Sequence, residues 1–198
     1  MTTERIRLAG IICAIGGALW VIVLLAGAVA HDAVYGNVAT YRTWEGLLIV
    51  VQGLLLIGMA GLAWSGATGP GWLGRIGLGL ALLGRAFFLV GEISSFARGS
   101  DDEVFVPLGA LLTGLGMVLV GIAVVRARRW EGWHRLIPLL AGLYPFVAMF
   151  PFFAIMGTPP APAIALWGVL WVLLGFALYA ETDTAVIARR SAATAVYS

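Results

Sequence analysis

Arg85 and Glu92 lie seven residues apart in GRAFFLVGEISSF (84–96), within one of the most apolar parts of the chain. Seven residues is nearly two helical turns, so both point to the same side, with Glu92 about 10 Å further along the axis. An arginine at mid-depth in a bilayer costs roughly 2.5–3.5 kcal/mol on insertion scales. Arg85 is therefore expected to face the interior of a helix bundle. Two chemistries suit it there: anchoring an anion with Glu92 as a tuning partner, or a polar clasp that only fixes helix register. Helical side chains lean toward the N-terminus, which brings Glu92 toward Arg85. Glu45 is the other candidate partner, and Gln52 follows it at i+7 on the same face.

Other polar or amphipathic side chains fall at similar depth: Trp20, Thr113, Tyr144, Trp167 and Trp171. With Glu45, Gln52, Arg85 and Glu92 they are expected to line one outward-opening pocket, apolar in its walls with a few convergent polar groups. Pro145, Pro151, Pro159, Pro160 and Pro162 would keep its rim irregular and free backbone carbonyls there. The plainer readings stand beside this one. Tryptophans near span ends anchor to the interface, as expected of Trp44, Trp72, Trp130 and Trp133, and Thr113 can bond its own helix backbone.

The elements that must position these groups follow from hydropathy. Of 198 residues 61% are hydrophobic and 11% charged, about half the charged share of a soluble domain. A spanning helix needs about 20 mostly apolar residues, and six segments qualify: 8–29, 45–64, 73–96, 104–125, 136–156 and 162–180. Turn chemistry separates them at GATGPG (66–71), ARGSDDE (97–103), RARRWEGWHR (126–135) and GTPPAP (157–162). Residues 31–44 read as the one long outer loop. The fold class is all-α, a six-helix polytopic bundle forming a single membrane domain over 1–198.

Arginine placement orients it. Arg5, Arg7, Arg75, Arg126, Arg128, Arg129, Arg135, Arg189 and Arg190 share one side, and only Arg42 and Arg98 lie on the other. The positive-inside rule then puts both termini in the cytoplasm of a bacterial inner membrane. Asp32 and the run Asp101, Asp102, Glu103 fall outside and read as solvated loop. Arg5 and Arg7 followed by an apolar run ending AGAVA (26–30) also resemble a cleaved signal peptide. That run exceeds the usual length of about 7–15 residues, which favours a retained helix.

Odd spans begin alike at Arg7-Leu8, Arg75-Ile76 and Arg135-Leu136, and even spans end alike at Gly61-Leu62-Ala63, Gly121-Ile122-Ala123 and Gly175-Phe176-Ala177. This pattern fits three helical-hairpin repeats. Small residues also recur every seven positions: Gly10 and Gly17; Gly46, Gly53 and Ala60; Gly77, Gly84 and Gly91; Gly114 and Gly121; Ala141 and Ala148; Gly168 and Gly175. Such spacing draws a seam along which backbones approach closely.

Metal and cofactor chemistry is not expected. Cys13 is the single cysteine, and His31 and His134 have no partner histidine at ligand spacing. No nucleophile elbow, Walker loop, zincin pair or dinucleotide fingerprint occurs, so a non-enzymatic role is the expectation. The opening TTERIRLAGIICAIGGALW, the six spans and the length resemble uncharacterised six-span membrane proteins of high-GC bacteria, a resemblance that implies architecture and no activity. Size and span count are also similar to the substrate-binding subunits of energy-coupling-factor vitamin transporters, a functional analogy without a shared motif. The first functional expectation is a membrane protein that binds, and helps to move, a small amphipathic or anionic molecule. The alternatives are a structural or regulatory subunit of a larger membrane complex, and a lipid-modifying enzyme using Glu45 or Glu92 as general base. Expected partners are the lipid bilayer, a small-molecule ligand, and a membrane protein or second copy; nucleic acid is not among them.

Overall fold

Six long apolar helices pack side by side, each long and apolar enough to cross a membrane, in a computed structural model that describes residues 3–101, 104–157 and 159–196, with side chains as far as Glu181. Asp102 and Glu103 of the acidic run, and the side chains of Arg189 and Arg190, lie outside the described residues. The long helices are α1 (Thr3–Val29), α3 (Val38–Ser65), α4 (Trp72–Arg98), α5 (Phe105–Ala127), a fifth span built in pieces, and α8 (Ala161–Val196). The fifth span joins a short 3-10 turn to α6 (Ile137–Tyr144), a π-helical turn at Pro145–Met149, and α7 (Phe150–Met156). Pro145 and Pro151 explain the irregularity, since neither donates an amide to the helical ladder.

The segment expected as a long outer loop is mostly helix. His31–Tyr35 forms α2, and α3 already begins at Val38. Asn37 caps it, its side chain accepting from the Ala39 amide at 2.7 Å, and the Thr40 hydroxyl ties the turn to the Ala33 carbonyl at 2.7 Å. Arg42 then reaches across to the Phe96 and Ala97 carbonyls at 3.2 Å each, satisfying the end of α4. These contacts define one end of the bundle, called here the His31 face. At the opposite, arginine face, Arg129 donates to the Gly66 carbonyl at 2.9 Å and Arg7 to the Tyr179 hydroxyl at 2.6 Å. Trp130, expected at the interface, is buried there, whereas Trp72 and Trp133 are exposed.

The helices close into a ring in chain order, with α8 returning to α1. Its two most extensive contacts are α1 with α8 and α4 with α5, and both antiparallel joints are built alike. Gly10 and Gly17 face Gly175 and Gly168; Gly84 faces Gly109, and Gly77 meets the backbone of Gly116. A Cβ at Gly17 would sit 2.6 Å from the Gly168 carbonyl oxygen, and one at Gly84 2.9 Å from that of Gly109. Backbone meets backbone at both crossings, which only glycine permits. Gly114 and Gly121 instead admit the fifth span at Gly142 and Leu139. Gly53 meets nothing within 4 Å, so the Gly46–Gly53–Ala60 row does not form a close backbone seam there.

Outward faces carry Leu8, Ile22, Val50, Ile76, Leu83 and Leu166, all exposed. The interior holds the polar exceptions: Glu45, Gln52, Arg85, Glu92, Ser95 and Thr113 are buried. That inversion of the soluble-protein pattern is what a bilayer solvent requires. The chain is a multi-pass membrane protein.

Candidate functional site

Arg85 is the central residue of the 27-residue α4, and its side chain is fully buried. Its neighbour Gly84 lies at the tight α4–α5 crossing, so this stretch is held by backbone contact. The guanidinium sits among four aromatic rings. Its Cζ lies 4.1 Å from the ring centroid of Trp171, 4.9 Å from Trp167, 5.3 Å from Phe88 and 5.9 Å from Trp20. Those rings come from α1, α4 and α8, and the tryptophans pack edge-on, Trp20 against Trp167 and Trp167 against Trp171. A cation held over π faces is stabilised by their quadrupoles, most of all where water is excluded.

Arg85 does not pair with Glu92. Its Nη1 donates to Gln52 Oε1 at 2.8 Å, and Gln52 Nε2 donates to Glu92 Oε1 at 3.2 Å. The amide thus stands between guanidinium and carboxylate, using both its polar ends. Glu92 in turn lies against Glu45, and Glu45 stands one turn below Tyr41 on the same face of α3. Tyr41 donates to Asp101 Oδ1 at 2.6 Å. A continuous polar string therefore runs from the His31 face to mid-depth through Asp101, Tyr41, Glu45, Glu92, Gln52 and Arg85. Toward the arginine face it stops against Leu55, Met59, Leu62, Met117 and Leu174, all fully buried.

Some hydrogen-bonding capacity in this region is unused. Arg85 Nε and Nη2, Thr113 Oγ1, Trp171 Nε1 and Glu45 Oε2 are buried without a partner. Thr113 does not bond its own helix; its hydroxyl lies against Gly84. Buried guanidinium nitrogens without acceptors are expensive, and that cost is a local demand for an anion or water.

The sequence-derived site residues separate into two groups. Arg85, Gln52, Glu92 and Glu45 form the string, with Trp20 and Trp167 in the aromatic box and Thr113 beside it. Tyr144 stands apart. It is half-buried and donates to the Ala163 carbonyl at 2.7 Å. Trp167 and Trp20 also serve the backbone, their indoles donating to the carbonyls of Ala141 at 2.8 Å and Ile164 at 2.9 Å. Tyr144 and Trp167 thereby bridge the fifth span and α8, the thinnest joint between neighbours in the ring.

The outward-opening pocket differs from expectation in depth and lining. A cleft of about 280 Å³ opens at the His31 face, lined by Tyr35, Val38, Tyr41, Gly99, Ser100 and Asp101. None of the expected pocket residues lines it; they lie deeper, joined to it through Tyr41. Burial pushes the Tyr35 phenol above its ordinary range, the acidic groups of Asp101, Glu45 and Glu92 push the same way, and Asp101 in the lining makes this mouth electronegative. Tyr41 and Phe88 were not singled out from sequence, and Asp101, read there as part of a solvated loop, accepts from Tyr41 instead. Tyr41 at i−4 from Glu45 and Phe88 at i+3 from Arg85 carried the available signal.

No group of three or more histidine, cysteine or acidic side chains able to hold a metal occurs among the described residues. No family model, curated protein or solved structure matches this chain.

Proposed function

We propose that this protein binds, and helps to move, a small amphipathic anion in a bacterial inner membrane, with the arginine face and both termini in the cytoplasm. One observation carries the reading: Arg85 is buried at mid-depth with Nε and Nη2 unpartnered inside a box of four aromatic rings. A carboxylate or phosphate matches that guanidinium edge in two parallel hydrogen bonds. Trp171 Nε1 and Thr113 Oγ1 supply further unused capacity nearby, and the rings offer apolar walls to the rest of the molecule. The electronegative cleft at the His31 face disfavours anion entry there. The thin joint between the fifth span and α8, reached from lipid, suits an amphipathic guest.

The test is extraction of small molecules from protein purified in mild detergent, followed by mass spectrometry. An anionic species is expected in stoichiometric amount with the wild type and absent from Arg85→Met. The same species at equal occupancy in both, or none in either, overturns the reading. A second reading rests on Gln52, whose bridge ties α3 to α4 and would serve a scaffold subunit equally well. Co-purification of a stoichiometric protein partner, retained in Arg85→Met, would favour it.

A further inference from the structure

Glu45 and Glu92 present a chemical problem that the anion site does not solve. An ionised carboxylate only accepts hydrogen bonds. Yet the two carboxyls lie within hydrogen-bond range of each other, both are more than nine-tenths buried, and Glu45 Oε2 has no N–H or O–H donor. Two carboxyl groups at such range cannot both be ionised, and one proton shared between them supplies the missing donor.

We propose that the Glu45–Glu92 pair is a proton-binding site, loaded and emptied from the His31 face through Asp101 and Tyr41. The route is drawn by adjacent polar groups. Asp101 and Tyr41 both line the cleft, Tyr41 donates to Asp101 at 2.6 Å, and Glu45 stands one turn deeper beside Tyr41. Once Asp101 takes up a proton it no longer needs the Tyr41 donor; the Tyr41 hydroxyl turns to Glu45, and the Asp101 proton passes to the Tyr41 oxygen as the hydroxyl proton moves to the Glu45 carboxylate. Asp101 returns to a carboxylate, Tyr41 stays neutral, and the pair gains one proton. Among the described residues no such string continues toward the arginine face, where the neighbours are apolar, so the proposed path serves one side only.

The titratable and polar groups that act on the pair come from three elements and a loop. Tyr41 and Gln52 lie on α3, Arg85 on α4, Asp101 in the loop after it, and Tyr35 on α2, while α5 presents the apolar Phe105 and Val106 there. The charge arithmetic links the two sites. With one proton on the pair, its remaining charge balances Arg85; a second proton leaves Arg85 uncompensated and ready for an anion. This coupling, unlike the proton site itself, rests on the anion reading above.

The experiment is infrared spectroscopy of the full chain in detergent, after bound small molecules have been removed. Wild type is expected to show the carbonyl stretch of a protonated carboxylic acid near neutral pH. Glu45→Gln and Glu92→Gln are each expected to lose it, because the new amide donates where the proton did and the remaining carboxyl ionises. In deuterated buffer the wild-type band should shift rapidly, and several-fold more slowly in Tyr41→Phe. A spectrum without the band overturns the proposal with no variant needed. A band that survives both glutamine variants, or a shift equally fast in Tyr41→Phe, overturns it as well. Because no anion is present, failure of the anion reading leaves these outcomes unchanged and removes only the coupling.

Discussion

Arg85 Nη1 donates to Gln52 Oε1 at 2.8 Å, and through that amide the only buried arginine among the described residues is tied to a different helix from its own. The bond joins α4 to α3 at mid-depth, where both partners are fully buried.

A double-mutant cycle at positions 52 and 85 measures that tie. Gln52→Leu strands Arg85 Nη1 and Glu92, and Arg85→Met strands the Gln52 oxygen, each costing about 1–3 kcal/mol or more. The double variant is expected to recover part of the loss, with a coupling of about 1.5–3 kcal/mol. Reversible unfolding in mixed detergent reads it; additive single effects would mean that the bond contributes nothing.

The glycine joints give opposite predictions at equal chemistry. Gly17→Ala and Gly84→Ala drive a methyl into a facing carbonyl oxygen and should lower the unfolding temperature. Gly53→Ala meets open space within a helix and should stabilise by about 0.5–1 kcal/mol. Thermal unfolding in one detergent compares all three. Equal shifts at the three positions would mean that these crossings are looser than they are drawn.

Orientation is checked by single cysteines in a Cys13→Ser background. Ser100→Cys, at the His31 face, should react with an impermeant thiol reagent in intact cells. Arg128→Cys and Glu131→Cys, at the arginine face, should react only after permeabilisation. The reverse pattern would place the acidic cleft in the cytoplasm and turn the proton route inward.

The latch between the fifth span and α8 is open to a separate measurement. Tyr144→Phe removes the bond to the Ala163 carbonyl without changing shape. If guests enter there, anion exchange should speed up while the unfolding temperature falls only slightly, by the equivalent of about 1 kcal/mol. Unchanged exchange kinetics would move the entry elsewhere.

Much of this molecule was legible in its residues. Hydropathy alone placed the six spans, because a bilayer leaves no alternative to a long apolar helix, and the cost of a lipid-facing charge sent Arg85 inward. Both are local consequences of the solvent and need no knowledge of neighbours. Helical periodicity also put Arg85 and Glu92 on one face. It could not say that Gln52 of α3 would stand between them, since an intrahelical lean of two side chains competes with whatever the facing helix presents. The glycine rows show the same division. A seven-residue spacing marks a seam, but Gly77 and Gly84 meet Gly116 and Gly109 rather than the equally spaced Gly121 and Gly114, and Gly53 meets nothing. Hydropathy and period describe each helix by itself, whereas which faces meet is decided by close packing among all six, a property that exists only once the bundle has assembled.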